Sequence, residues 1–154
     1  MGIISWIADR LGLAKLSGAE VEAAINEYLN ETHIREIAFW STVNIIANAV
    51  SKCEFKTYVN GKEVKGNEYY LWNIEPNKNQ NSSEFIHKWI AKLYSENECL
   101  IIEHNGMLLV ADSFTKKEYA LYEDEFTNVT VKDFTFNKTF KQSEVLYYKL
   151  TEKN

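Results

Sequence analysis

The chain has 154 residues, of which 45% are hydrophobic and 14% aromatic, and it carries a formal net charge of −5. This length fits one domain with a sizeable core, and the negative charge disfavours a general electrostatic attraction to nucleic acid. No apolar stretch approaches the roughly 20 residues needed to span a membrane. Asp9 and Arg10 interrupt the apolar start, which differs from a secretory signal. The sequence therefore predicts a globular protein made inside the cell.

Three helices are predicted in the first third of the chain. Residues 3–11 form an apolar stripe, so residues 1–17 are expected to be an amphipathic arm that packs on its own domain or on a partner. Further helices are predicted over 19–30 and 34–51, within a single domain over 18–154. The last helix is apolar nearly all round, which requires burial in the core or against another subunit. The candidate residues for an interface with another subunit or another protein are Ile3, Trp6, Ile7, Phe39, Trp40 and Val43.

The middle of the chain predicts a hairpin, a connector and a capped helix. Residues 54–65 alternate polar and apolar side chains around Asn60-Gly61, which is a strong hairpin signal. A short apolar helix or turn at 70–73 is followed by an Asn-rich connector, which Pro76 makes rigid. Asn81 and Glu84 have the spacing of a capping box, so a helix is predicted over about 82–95.

The last third of the chain predicts antiparallel strands. Residues 99–103 and 107–111 flank Asn105-Gly106 and predict a second hairpin. A tight turn is expected at Asn137-Lys138. Further short strands are expected at 120–122, 129–131, 134–136, 139–141 and 145–150. N-terminal helices, a hairpin, a capped amphipathic helix and an antiparallel β-meander together define an α+β fold.

The residues that can carry chemistry predict no catalytic, cofactor or metal site. The sequence contains no phosphate-binding loop, zinc-protease motif or nucleophile elbow. The acidic residues at 118–125 lack the alternation and the glycine of a calcium loop, and are typical of a solvated loop. Cys53 and Cys99 are expected to be buried free thiols. Glu103 and His104 are adjacent on a strand and point to opposite faces, which argues against a metal site with Cys99.

An ordered series of segments resembles the phage portal proteins of the HK97-like type. The similarity includes the amphipathic start, the helix Ala38 to Ser51, the entry Glu96-Asn97-Glu98-Cys99 and the segment Ser143 to Tyr148. Its most specific part is a Leu-Leu-Asn-x-x-Pro-Asn-x-x-Gln signature, here Leu71-Trp72-Asn73-Ile74-Glu75-Pro76-Asn77-Lys78-Asn79-Gln80. The motif residues, for which a structural role is expected, are Asn73, Pro76, Asn77, Gln80, Glu84 and Phe85.

The resemblance implies a structural subunit of the portal ring at the capsid vertex, through which DNA is packaged and ejected and to which the tail attaches. This chain corresponds to the N-terminal, wing-like and shell-contacting portion, without the stem, clip and crown. The implied partners are other portal subunits, the major capsid or scaffold protein, and, through the C-terminal part, the terminase and the head–tail adaptor. Double-stranded DNA would pass through the channel without sequence-specific binding. The resemblance implies a virion protein made in the bacterial host cytoplasm. The alternative is a stand-alone protein-binding adaptor or a degenerate prophage portal remnant.

Overall fold

The structure is a computed structural model that describes residues 17–151. The chain divides into two compact units, with the boundary between Thr42 and Val43. The predicted amphipathic arm, with Ile3, Trp6 and Ile7, lies outside the described residues. The division into an arm over 1–17 and one domain over 18–154 therefore stays a prediction.

The first helix, α1 (Gly18–Val50), runs without interruption for 33 residues. The sequence predicted two helices with a break near residue 32, and this prediction was wrong. The segment between them contains neither glycine nor proline. The Thr32 hydroxyl donates to the carbonyl oxygen of Tyr28 at 2.8 Å, and Glu31 forms an i,i+4 ion pair with Arg35. Because these polar side chains are satisfied within the helix, their polarity does not mark a helix end.

The burial of α1 also differs from the prediction. Ile34 and Ile37 are 67% and 66% exposed. In the second unit, α1 contributes Val43 and Ala47 to the core, at 2% and 1% exposure. The expectation that this helix is buried on several sides within the core was wrong. Its alternative, packing against another subunit, stays a prediction.

Three short elements and one long helix follow α1. Strands β1 (Tyr58–Val59) and β2 (Lys62–Glu63) form the predicted hairpin, and its turn residues Asn60 and Gly61 have φ of 51° and 77°. Positive φ at both central residues is the requirement of a type I′ turn. Helix α2 (Asn67–Asn73) and helix α3 (Ser82–Glu96) come next. The predicted hairpin, short helix and long helix are thus confirmed.

The remaining strands of residues 17–151 form two antiparallel sheets. The first has the order β4-β3-β9, made of β3 (Glu98–His104), β4 (Met107–Val110) and β9 (Val145–Lys149). The second contains β5 (Ser113–Lys117), β6 (Glu125–Val131), β7 (Phe134–Thr135) and β8 (Phe140–Lys141). A 3₁₀ turn (Gln142–Glu144) leads into β9, which returns to β3 in the first sheet. The α+β class is confirmed.

Strand β3 belongs to two hydrophobic cores at once. Cys99 and Ile101 pack in the core that also contains the buried face of α3 and the C-terminal turns of α1. Leu100 and Ile102 point the other way and pack in a second core with residues of the second sheet, including Phe126. Both faces are buried because the first sheet lies between a helical layer and another sheet, which explains the unbroken apolar run at 99–102.

Two predicted details of the second sheet were wrong. Residues 120–122 lie in a loop, and the strand that pairs with the start of β6 is β5. Its sequence, Ser-Phe-Thr-Lys-Lys, has one large apolar side chain and gives no strong strand signal. Residues 137–138 are not a hairpin turn, because β7 and β8 both pair antiparallel with β6. The chain reverses instead at Lys132-Asp133, where Lys132 has φ of 53°.

Candidate assembly surfaces

The side chain of Asn73 fixes the segment that leaves α1. Its Oδ1 accepts the N–H of Phe55 at 2.8 Å, and its Nδ2 donates to the Phe55 carbonyl oxygen at 3.0 Å. The same Nδ2 lies 2.8 Å from the carbonyl oxygen of Tyr69, within α2. Asn73 therefore pairs with the backbone of Phe55 as a neighbouring strand would, and holds the two segments together.

Pro76 and Asn77 cover the outer edge of β4 at Leu108. The Leu108 N–H donates to the Pro76 carbonyl oxygen at 2.8 Å, and the Leu108 carbonyl oxygen accepts from Asn77 Nδ2 at 3.0 Å. Asn77 is 5% exposed, and its Nδ2 also lies 3.1 Å from Gln80 Oε1. Because both backbone groups of Leu108 are satisfied, this part of the edge is closed to another strand.

The last two motif residues begin α3. Asn81 Oδ1 accepts the Glu84 N–H and Glu84 Oε2 accepts the Asn81 N–H, both at 3.0 Å. The predicted capping box is therefore confirmed. Phe85 is fully buried and contacts Trp72 edge to face, with ring centroids 6.1 Å apart. In this arrangement the connector sets the position of α3 on the first sheet.

Residues 34–40 of α1 include four large exposed apolar residues, which we call the α1 apolar surface: Ile34, Ile37, Phe39 and Trp40. Phe39 and Trp40 are each 40% exposed and contact each other edge to face at 5.3 Å. Val43, predicted as an interface residue with them, is instead buried in the core of the second unit. Of the predicted interface residues in α1, only Phe39 and Trp40 are therefore accessible on the surface of the chain.

Sequence reasoning missed a second exposed apolar feature, the 118–124 loop between β5 and β6. Its tip presents Leu121 and Tyr122, which are 87% and 80% exposed. The base of the loop is fixed, since Lys116 Nζ lies 2.8 Å from Glu118 Oε1 and 2.9 Å from Asp124 Oδ2. The alternation at 120–122 had predicted a strand, but within the described part of the chain no strand pairs with these residues.

The electrostatics of this base keep Lys116 charged. Partial burial disfavours the ammonium form, but the hydrogen bonds with Glu118 and Asp124 raise the pKa of Lys116 above its ordinary value. Its Nζ also lies 4.7 Å from the ring centroid of Tyr147. Burial, together with a hydrogen bond to Glu98, raises the pKa of Tyr147 to about 12. The acidic residues at 118–125 thus fix a loop, as well as being solvated.

A concavity of about 550 Å³ lies at the other end of β6, and we call it the Lys88–Lys132 pocket. Its apolar floor consists of Leu109, Val110 and Val131. The other lining residues are polar or charged: Asn77, Asn79, Gln80, Glu84, Lys88 and Lys132.

Asp112 connects the elements around this pocket. Its Oδ1 lies 2.8 Å from Lys88 Nζ on α3, and its Oδ2 accepts the N–H of Lys132 at the β6–β7 turn. Partial burial opposes the ionisation of Asp112, but the bonds from Lys88 and Lys132 lower the pKa of its carboxyl below the ordinary value. Asp112 therefore holds α3 against the second sheet.

The described residues give no support for metal chemistry. Among them, no three His, Cys, Asp or Glu side chains are placed to hold an ion.

Both cysteines are free. Cys99 is fully buried, and burial raises the pKa of its thiol to about 12, whereas Cys53 is exposed. The prediction that both thiols are buried was therefore wrong for Cys53.

None of the helices between residues 17 and 151 has the length and apolarity to cross a membrane.

The described features define a class of protein: an α+β domain whose prominent apolar surfaces suit contacts with other proteins. The profile of the family described as phage portal protein matches residues 37–154. The chain belongs to the phage portal protein family. No curated protein matches it. Portal proteins are structural components of the virion, and they form an oligomeric ring at the capsid vertex through which DNA is packaged.

Proposed function

We propose that this chain is the N-terminal, wing-like portion of a portal subunit, and that the α1 apolar surface packs against the neighbouring subunit of the ring. The observation that carries the proposal is the exposure of Ile34 and Ile37, which are 67% and 66% accessible on one helix. Apolar side chains of this size and density are typical of a surface that another protein covers.

A neighbouring copy of the chain fits this surface because a ring brings identical subunits into repeated contact. Cyclic rings use head-to-tail contacts, in which one surface of a subunit packs on a different surface of the next. Aromatic residues such as Phe39 and Trp40 are enriched at the centres of protein interfaces. Their 40% exposure in the single chain leaves both rings accessible for such a contact.

The other proposed partners are proteins of the capsid, the packaging motor and the tail, together with DNA. We propose that the wing-like portion contacts the major capsid or scaffold protein, and that the terminase and head–tail adaptor bind elsewhere in the portal. The net charge of −5 supports passage of double-stranded DNA without tight binding. This acidic balance does not favour the many phosphate contacts that nucleic-acid-binding proteins make.

The proposal is tested with the full gene product and two matched variants. Ile34→Glu with Ile37→Glu places charge on the α1 apolar surface, while Asn26→Glu adds a charge to an exposed polar position of the same helix. Electron microscopy should show rings for the wild type and for Asn26→Glu. The double variant should remain folded by circular dichroism and should yield single subunits. Rings formed equally well by the double variant would exclude this surface as the subunit contact. A wild-type protein that never forms rings would contradict the proposed function itself.

A further inference from the structure

A ring contact between unlike surfaces joins one patch of a subunit to a different patch of the next subunit. We propose that the 118–124 loop of one subunit inserts Leu121 and Tyr122 into the Lys88–Lys132 pocket of the next subunit. This inference rests on the proposed function, since it names a contact that would join neighbouring copies in the ring.

The projection is a fixed structure. Leu121 and Tyr122 are 87% and 80% exposed at its tip. Below them, the Tyr119 N–H donates to Asp124 Oδ1 at 3.2 Å, and the Tyr119 hydroxyl donates to Glu125 Oε2 at 3.0 Å. A loop whose base is held in this way presents its tip at little cost in conformational entropy when a partner binds.

The base of the loop is also tied to a neighbouring segment. Ser143 Oγ donates to Glu123 Oε2 at 2.7 Å, from the 3₁₀ turn that precedes β9. The Gln142 N–H donates to the carbonyl oxygen of Asp124 at 2.9 Å. These two bonds fix the β6 side of the loop base on the segment that leads into β9.

The lining of the Lys88–Lys132 pocket suits the apolar tip of the loop. Its volume of about 550 Å³ lies in the range of pockets that accept small organic molecules. Leu109, Val110 and Val131 give it an apolar floor. Lys88 and Lys132 lie on its rim, and within residues 17–151 the Lys132 ammonium group forms no ion pair.

The loop and the pocket carry charges of opposite sign. The segment Lys116 to Glu125 contains four acidic and two basic residues, which leaves it with a net negative charge. Both acids at the recess have partners already: Glu84 bonds with Asn81, and Asp112 pairs with Lys88. Insertion would therefore bring the acidic loop toward the ammonium group of Lys132, which favours association and fixes its orientation.

The two surfaces cannot meet within one subunit. Strand β6 (Glu125–Val131) begins at the loop and ends at the pocket, and at a rise of about 3.3 Å per residue its ends lie roughly 20 Å apart. A projection and a recess at opposite ends of one strand have the arrangement that a head-to-tail contact requires. Repetition of this contact gives a closed ring when the rotation between subunits closes.

Site-directed cross-linking of the full gene product tests the inference. Cys53→Ser first removes the exposed native thiol, while Cys99 is buried. Leu121→Cys and Lys132→Cys are then combined in one chain and treated with a short bismaleimide after assembly. Lys132 tolerates the change because Asp112 binds its backbone N–H. The matched control combines Leu121→Cys with Lys62→Cys, an exposed position on β2.

The expected result is a ladder of covalent oligomers longer than dimers for the Leu121/Lys132 pair, and monomers with few dimers for the control. Rings that give no ladder, or a ladder of equal intensity in the control, would overturn the inference and leave the proposed function standing. If no rings form at all, the proposed function fails and the inference fails with it.

As a second readout, Leu121→Ser with Tyr122→Ser should lower the yield of rings several-fold without changing the melting temperature. Unchanged ring yield would also overturn the contact.

Discussion

The side-chain amide of Asn77 and the backbone of Leu108 form a buried contact between the connector and the first sheet. Asn77 Nδ2 donates to the Leu108 carbonyl oxygen at 3.0 Å, next to the 2.8 Å bond from the Leu108 N–H to Pro76. Asn77 Oδ1 also accepts the N–H of Asn79 at 3.0 Å, which folds the connector into a local turn. One side chain thus sets the connector conformation and attaches it to β4.

Replacement of Asn77 by alanine should destabilise the domain by about 1–3 kcal/mol, because the buried carbonyl oxygen of Leu108 loses its donor. Chemical denaturation followed by tryptophan fluorescence measures this difference. The matched control is Asn79→Ala, an exposed connector residue, which should change the free energy of unfolding by less than about 0.5 kcal/mol. Equal effects of the two substitutions would contradict the role of the Asn77–Leu108 contact.

The capping box gives a second stability prediction. Asn81→Ala removes the acceptor for the Glu84 N–H and should lower stability by about 0.5–2 kcal/mol. Ser83→Ala alters an exposed residue of the same first turn and should be nearly neutral. Thermal unfolding of both variants, followed by circular dichroism at 222 nm, tests this order. An Asn81→Ala variant as stable as the wild type would show that the capping box does not contribute to the stability of the protein.

The Asp112 carboxylate predicts a dependence of stability on pH. Its pKa is lower in the folded protein, so its stabilising effect is complete above the unfolded pKa of about 3.9 and is lost as the pH falls through the folded pKa. Asp112→Asn should therefore cost on the order of 1 kcal/mol near neutral pH, since the carboxylate is partly exposed. The difference from the wild type should shrink below about pH 4. A difference that is constant from pH 7 to pH 3 would exclude this linkage.

The two cysteines should react at very different rates. Cys53 is exposed and should react with a chromogenic disulfide reagent at once. Cys99 is buried, and its raised pKa of about 12 leaves little thiolate, so it should react only when the domain opens. Rapid reaction of one equivalent per chain, which Cys53→Ser abolishes, is the expected result. Two rapid equivalents would mean that the core around Cys99 is open in solution.

Local signals in the sequence predicted the elements that short-range chemistry decides. Asn60-Gly61 and Asn105-Gly106 specify hairpins because both residues of each pair adopt positive φ. Asn81 and Glu84 specify the start of α3 through reciprocal bonds to the backbone. None of these features depends on distant parts of the chain, which is why the sequence alone was sufficient.

Features decided by tertiary packing were not predictable in this way. The edge position of β4, which Asn77 covers, depends on strand order and not on local sequence. The pattern around Leu121 and Tyr122 predicted a strand, but among residues 17–151 no strand pairs with them. The near-continuous apolarity of residues 34–51 predicted burial in the core or against another subunit, and Ile34 and Ile37 are exposed in the single chain. An apolar pattern shows that a surface will be covered, and it does not show whether the covering group is in the same chain.

A density map of the assembled ring shows directly whether the α1 apolar surface forms the contact between subunits. Cryo-electron microscopy of the full gene product should show a closed ring in which the neighbouring subunit covers Ile34, Ile37 and Trp40. These three side chains are exposed in the single chain, so their burial at the subunit boundary would be specific to assembly. A ring in which they face solvent would exclude this surface as the subunit contact, and a protein that remains single subunits at every concentration would exclude the proposed function.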